Sequence, residues 1–159
     1  MELVPLLRWT LLLAGTWAVG LPIAYRLFER FPYRGATMAL PVVLTVVSLV
    51  AYWVGRVDVT LGFGMGVLLV VGLAVVGYRR GDRPAVRHLA APVAVFGVAF
   101  AAMLLVRLGS PAIVPAGGEK FLDFSLLNAV LRTATLPPED PWFAGRTVRY
   151  YSGGYVTAG

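Results

Sequence analysis

The chain has 159 residues, of which 58% are hydrophobic and only 14% are charged, and its mean hydropathy is +0.77. This composition excludes an ordinary water-soluble domain, because a soluble fold of this size needs charged faces that these residues do not supply. The chain has no cysteine, which also excludes disulfides, thiol catalysis and cysteine metal sites.

Four uncharged apolar stretches follow one another from the N-terminus, and each is about as long as the roughly 20 residues that one bilayer crossing requires. They predict transmembrane helices at about 6–28, 36–55, 59–78 and 88–108. Pro22, Pro41 and Pro92 would interrupt soluble helices, whereas helices in lipid tolerate proline as kinks. The sequence therefore predicts an all-α membrane protein with about four transmembrane helices over 1–108.

The first stretch has a second interpretation. Arg8 precedes an apolar run, and Ala18-Val19-Gly20 resembles the small-residue cleavage site of a signal peptide. We favour a retained span, because the run continues through Tyr25 into a basic loop, which is a stop-transfer arrangement.

The distribution of arginine predicts the orientation, since short cytoplasmic loops are rich in Lys and Arg. Two basic loops are expected in the cytoplasm, and their arginines are Arg26, Arg30 and Arg34 in the first and Arg79, Arg80, Arg83 and Arg87 in the second. The N-terminus, the middle loop and everything after Leu108 are then outside, in a multi-pass protein of the cell membrane. No nucleic-acid partner is expected, because the positive charge is largely explained as a topology signal.

Few residues within the spans suggest a catalytic or binding function. Gly62 and Gly66 form a Gly-x-x-x-Gly pair, which would allow close approach of a neighbouring helix, although chance spacing explains it equally well. His88, the only histidine, lies in a basic loop without carboxylate or cysteine partners, so we predict no metal site there. No span contains an internal Asp, Glu, Lys or Arg, which disfavours proton pumps and ion-coupled carriers.

Residues 109–159 form the predicted extracytoplasmic juxtamembrane segment, and the composition changes from Gly117 onward. Phe121 to Arg132 predicts an amphipathic helix at the outer interface, and its apolar stripe is formed by Phe121, Phe124, Leu127 and Leu131. Pro137-Pro138 ends the helix, and Asp140-Pro141 suits a turn. An aromatic and flexible segment follows, with Trp142, Tyr150, Tyr151 and Tyr155.

Several short motifs together carry a resemblance to a known family. They are Glu119-Lys120, Asp123-Phe124, Leu127-Asn128-Ala129, Leu131-Arg132, Pro137-Pro138, Asp140 to Gly145 and Tyr150-Tyr151, with weaker matches at Leu21-Pro22 and Arg34-Gly35. This combination resembles the signature of the large archaeal and bacterial membrane proteins named for a Tyr-Tyr-Tyr (YYY) motif, a family of unknown function. More distantly, it resembles the GT-C class of membrane glycosyltransferases.

The chain departs from that family in two places. Ser152 stands where the motif has its third tyrosine, and Arg149 stands where the family tends to have an amide residue. Related proteins also continue through many more spans beyond the position of Gly159. The resemblance therefore implies an N-terminal fragment or a truncated product, with the missing C-terminal part or other membrane subunits as partners.

The resemblance implies a glycosyltransferase that uses a polyprenyl-phosphate-linked sugar on the outer face of the bilayer. Such transfer needs a carboxylate base and cationic help for the departing phosphate, and Asp123 and Asp140 are the catalytic candidates. Substrate-binding candidates are Lys120, Asn128, Arg132, Trp142, Tyr150 and Tyr151. The sequence does not identify a cofactor. A divalent cation could bind Asp140, since hard cations prefer oxygen ligands.

Structural interpretations of the same residues remain open. Asp123 could stabilise the first turn of a helix, Asp140 could form a turn, and the basic residues, including Arg146, could anchor the chain at the interface. The alternative function that follows is a non-catalytic membrane assembly or transport component.

Overall fold

The computed structural model describes residues 3–82, 85–109, 119–149 and 153–158. Its helices, in chain order, are α1 (Leu3–Leu27), α2 (Ala39–Val54), α3 (Val59–Arg79), α4 (Val86–Gly109), α5 (Glu119–Arg132) and α6 (Gly153–Ala158), and a 3-10 segment, Pro32–Met38, precedes α2. Within these residues the only β-type pairing is an isolated bridge between Glu139 and Thr147.

Four segments of the described chain are long and apolar enough to cross a membrane: Val4–Leu27, Pro32–Val54, Val59–Arg79 and Val86–Gly109. They are followed by the shorter helix α5 and a loop. The predicted fold class is thus confirmed. Most large apolar side chains are exposed, and α4 buries none of its residues, as expected where lipid covers the helix instead of protein.

The chain forms two compact units, and each contains parts of α2 and α3. Unit 1 comprises 1–43 and 70–112, and unit 2 comprises 44–69 and 113–159.

The core of unit 1 forms where α1 packs against the beginning of α2. Its buried residues are Leu21, Ala24, Tyr25, Ala36 and Ala39, with Trp17, Phe28 and Leu89 packed around them. A Cβ atom added at Gly20 would collide with the carbonyl oxygen of Ala39 and lie 2.9 Å from Val43 Cγ2. The two helices therefore approach backbone to backbone, and only glycine fits at this crossing.

A left-handed turn connects α1 to α2. Tyr33, Arg34 and Gly35 have φ values of 55°, 50° and 71°, and for the two non-glycine residues this conformation costs about 1–2 kcal/mol each. Contacts with α1 offset that cost. The indole Nε1 of Trp17 donates a hydrogen bond of 2.8 Å to the carbonyl oxygen of Ala36, just after the turn.

In unit 2, the Gly-x-x-x-Gly pair of α3 packs against α2. A Cβ at Gly62 would lie 2.9 Å from the carbonyl oxygen of Ala51, and one at Gly66 would lie 3.1 Å from Val47 Cα. Both neighbours are backbone atoms, which cannot move aside as a side chain can. The two glycines therefore form a surface of α3 that packs against α2 of the same chain.

Candidate functional site

An open cleft of about 970 Å³ lies between α5 and the loop that follows it in unit 2. Its lining comprises Phe121, Phe124, Ser125, Asn128, Ala129, Arg132 and Thr133 from the helix and its end, and Glu139, Asp140, Pro141, Trp142 and Ala144 from the loop. The helical members recur every three or four residues, so they occupy one face of α5.

The cleft-lining face of α5 differs from the face that packs into unit 2. Leu126 and Val130 are buried, whereas Phe124 is 70% exposed and Phe121 is 55% exposed. Two residues of the predicted apolar stripe, Phe121 and Phe124, therefore form an apolar part of the cleft wall. Leu131 is exposed as well, and the position of the stripe at the outer interface stays a prediction.

The segment between α5 and the loop is held by the α2–α3 connection. The Leu136 N–H donates to the Gly55 carbonyl at 2.7 Å, and the Val59 N–H donates to the Ala134 carbonyl at 2.9 Å. Leu136 and Pro138 are buried. These contacts fix the point at which the loop leaves the packed part of unit 2.

Residues 138–148 close on themselves as a hairpin-like loop. The Val148 N–H donates to the Pro138 carbonyl at 3.0 Å, and the Asp140 N–H donates to the Arg146 carbonyl at 2.8 Å. Glu139 Oε1 accepts a hydrogen bond of 2.7 Å from the Gly145 N–H. Gly145 has φ +77°, a conformation that favours glycine.

Asp140 forms the turn at the tip of this loop. Its Oδ1 accepts hydrogen bonds from the N–H groups of Trp142 at 2.9 Å and Phe143 at 3.3 Å, the geometry of an Asx turn. Within the described residues, its second carboxylate oxygen makes no hydrogen bond. Asp140 therefore has a structural function and also lines the cleft, so both predicted interpretations remain open.

Asp123 lies elsewhere on α5. It is exposed, is not part of the cleft lining, and its Oδ1 accepts a hydrogen bond of 2.5 Å from the Tyr155 hydroxyl of α6. It is at least the fifth residue of the helix. A stabilising effect on the first turn is therefore weak there, since this effect falls off within one turn.

The structure brings four of the predicted site residues together at the cleft: Asn128, Arg132, Asp140 and Trp142. Asn128 uses one amide N–H on the Phe124 carbonyl of its own helix, at 2.7 Å. The side chain of Lys120 and all of Tyr150 and Tyr151 lie outside the described residues. Arg146 and Arg149 are exposed and do not line the cleft.

Three polar residues of the cleft lining were not predicted, namely Ser125, Thr133 and Glu139. The helical register could have indicated Ser125, which is three residues before Asn128 and four after Phe121. Glu139 gave no comparable signal, since only the closure of the loop places it beside α5. Among the described residues, no group of three or more His, Asp or Glu side chains could hold a metal ion.

A protein-family model described as "Uncharacterized membrane protein (DUF2298)" matches residues 46–159. The matched part is most of the chain and contains the whole cleft. Neither the curated proteins nor the solved structures include a match.

Proposed function

Since the chain belongs to the uncharacterized membrane protein family DUF2298, we propose that its cleft binds the polar end of a lipid-phosphate-linked sugar, as part of a GT-C-like glycosyltransferase. The observation that carries the proposal is the composition of the cleft. A cation, two carboxylates, a carboxamide and an indole line it beside two phenylalanines.

Each part of such a substrate has a suitable partner in the lining. Arg132 offers a planar fork of N–H donors, which suits a phosphate. Asp140 and Asn128 offer oxygen and nitrogen atoms to sugar hydroxyls, and the flat face of Trp142 suits the apolar side of a sugar ring. The exposed rings of Phe121 and Phe124 suit the first carbons of a lipid chain.

The size of the cleft is consistent with this ligand. Small-molecule sites measure about 300–1,000 Å³, and this cleft lies near the upper end at about 970 Å³. That volume accommodates a hexose with a phosphate and leaves room for an acceptor hydroxyl.

We assign the base to Asp140 in the proposed reaction. The acceptor oxygen attacks the anomeric carbon and forms the new glycosidic bond, while its proton passes to the carboxylate. The bond between the anomeric carbon and the phosphate oxygen breaks, and its electron pair leaves with the phosphate. Arg132 stabilises that developing charge. Asp123 remains the alternative base.

A second candidate function, a non-catalytic assembly or transport component, is favoured by the hydrogen bonds of the two carboxylates. Asp123 joins α5 to α6 through Tyr155, and Asp140 forms a turn. Both residues thus have structural tasks that do not require catalysis.

Binding tests the proposal directly. The purified full chain should bind a short-chain polyprenyl phosphate hexose, measured by quenching of tryptophan fluorescence or by calorimetry. Arg132→Gln should weaken binding at least tenfold, because a hydrogen bond to a charged group contributes about 1.5–3 kcal/mol. Trp142→Ala should weaken binding of the hexose form more than that of the sugar-free polyprenyl phosphate.

Matched controls are available in the loop and next to it. Arg149→Gln removes an equal charge outside the lining, and Phe143→Ala removes an exposed ring beside Trp142. Both should bind normally. Equal affinity of Arg132→Gln, Arg149→Gln and the unmodified protein would exclude the cleft as the phosphate site.

The proposed orientation places the N-terminus and the cleft outside. Arg26 Nη1 lies 3.7 Å from Asp82 Oδ2, so the two arginine-rich loops lie on the same side; the excess of arginine in them supports the cytoplasm as that side. Reporter fusions after Gly55, Arg83 and Gly117 should report outside, inside and outside. An inside signal at Gly117 would contradict the orientation and a reaction on the outer face.

A further inference from the structure

The last turn of α1 carries a second polar cluster, which belongs to unit 1 and is independent of the function proposed above. The ring of Tyr25 meets the ring of His88 edge-on, with centroids 6.1 Å apart. The next residue, Arg26, lies beside Asp82. One helical turn thus gathers groups from the beginning of α4 and from the loop after α3.

Three side-chain atoms of this cluster are buried without a hydrogen-bond partner: Tyr25 Oη, Asp82 Oδ2 and His88 Nδ1. The described residues contain no other such atom, and Tyr25 is 0% exposed. Buried polar atoms in folded proteins nearly always have partners. The Tyr25 and His88 rings are in contact, and Asp82 is linked to the same turn by its ion pair with Arg26. This turn therefore has unused hydrogen-bonding capacity that a polar group could satisfy.

The three atoms restrict the chemistry of that group. A tyrosine hydroxyl and a histidine N–H can donate hydrogen bonds, whereas an ionised aspartate only accepts them. With the His88 proton on Nδ1, a bound group that offers both a strong acceptor and a donor would satisfy all three atoms.

The surrounding charge selects an anionic acceptor. Six arginines lie at this end of unit 1, against the acidic residues Glu29 and Asp82: Arg26, Arg30, Arg34, Arg79, Arg80 and Arg87. The Arg34 guanidinium lies over the Tyr25 ring, with Cζ 5.4 Å from the centroid. A phosphate is the acceptor that arginine binds most readily.

We propose that this cluster binds a glycerophospholipid head group that carries a phosphate and a hydrogen-bond donor. The phosphate accepts from Tyr25 and His88, and a hydroxyl or ammonium group donates to Asp82. The end of a membrane span is the level at which head groups lie, and arginine-rich ends of spans attract anionic lipids.

Native mass spectrometry of the detergent-purified full chain can test this with four probes: short-chain phosphatidylglycerol, phosphatidylethanolamine and phosphatidylcholine, and soluble glycerol 3-phosphate. The first two lipids should bind at least tenfold tighter than phosphatidylcholine, whose head group has no donor. Tyr25→Phe should reduce their affinity about tenfold. If glycerol 3-phosphate binds as tightly as the lipids, the ligand of the cluster is a soluble phosphate ester and not a lipid.

Two controls separate a built site from general attraction. Tyr33→Phe removes an exposed hydroxyl at the same end, and Arg30→Gln removes one exposed charge there; both should keep the preference for phosphatidylethanolamine over phosphatidylcholine, which have the same net charge. His88→Phe, which keeps the ring but removes the nitrogens, should reduce it, and this variant serves if Tyr25→Phe does not fold. Unchanged lipid preference in a folded Tyr25→Phe or His88→Phe protein would overturn the proposal.

Discussion

Asp140→Asn should lower lipid-linked sugar transfer by two orders of magnitude or more in a preparation with measurable activity, and the folded yield should be nearly unchanged. Asparagine keeps the Oδ1 acceptor for the Trp142 and Phe143 N–H groups, and it forms Asx turns as aspartate does. It cannot accept a proton, and a general base contributes about 10²–10⁴-fold. Transfer assays and detergent-solubilised yield, measured on one preparation, check both parts.

The matched control is Asp58→Asn. Asp58 also accepts a hydrogen bond from a backbone N–H, that of Leu61 at 2.7 Å, and asparagine caps helices about as well as aspartate. This variant should retain full activity. If Asp123→Asn abolishes transfer while Asp140→Asn does not, the base is Asp123 and the cleft assignment fails.

Gly62→Val should destabilise the protein by about 3 kcal/mol, the upper end of the usual cost of overpacking. Its Cβ would lie 2.8 Å from the Gly55 nitrogen and 2.9 Å from the Ala51 carbonyl oxygen, so α3 would have to move away from α2. Unfolding of the purified protein in mixed micelles measures the loss.

Gly64→Val is the control for that change. Gly64 lies in the same helix, and a Cβ there meets nothing within 4 Å, so the same substitution should change stability by less than about 0.5 kcal/mol. Similar losses at both positions would show that helix propensity, and not the contact with α2, explains the effect.

The spans could be predicted from the sequence because their signal is local. A run of apolar residues without charges can satisfy its backbone in lipid only as a helix, whatever its neighbours are. The turn at Tyr33 and Arg34 could not be predicted in this way. Its positive φ values arise at residues that rarely adopt them, and they depend on contacts with α1, such as the hydrogen bond from Trp17 to Ala36. Similarly, the sequence indicated a packing role for Gly62 but not its partner.

The candidate site could be predicted in part. Asn128 and Arg132 are one helical turn apart and therefore share a face of α5. Asp123 is roughly 200° around the helix from Ser125, which lines the cleft. Asp123 is therefore close to the packed side of the helix. The helical register thus already separated Asp123 from the cleft. The approach of Asp140 and Trp142 could not be predicted, because it depends on the attachment of the loop to Gly55 and on the hydrogen bonds within 138–148.

The closed loop over 138–148 also bears on binding energy. Ordering a mobile side chain or loop at an interface costs about 0.5–1.5 kcal/mol for each immobilised side chain. Here the backbone of Trp142 is already fixed by Asp140, and the loop is already joined across its base by Pro138 and Val148. The backbone of this wall is therefore preorganised, and the entropy that a ligand would still have to offset is that of exposed side chains such as Trp142.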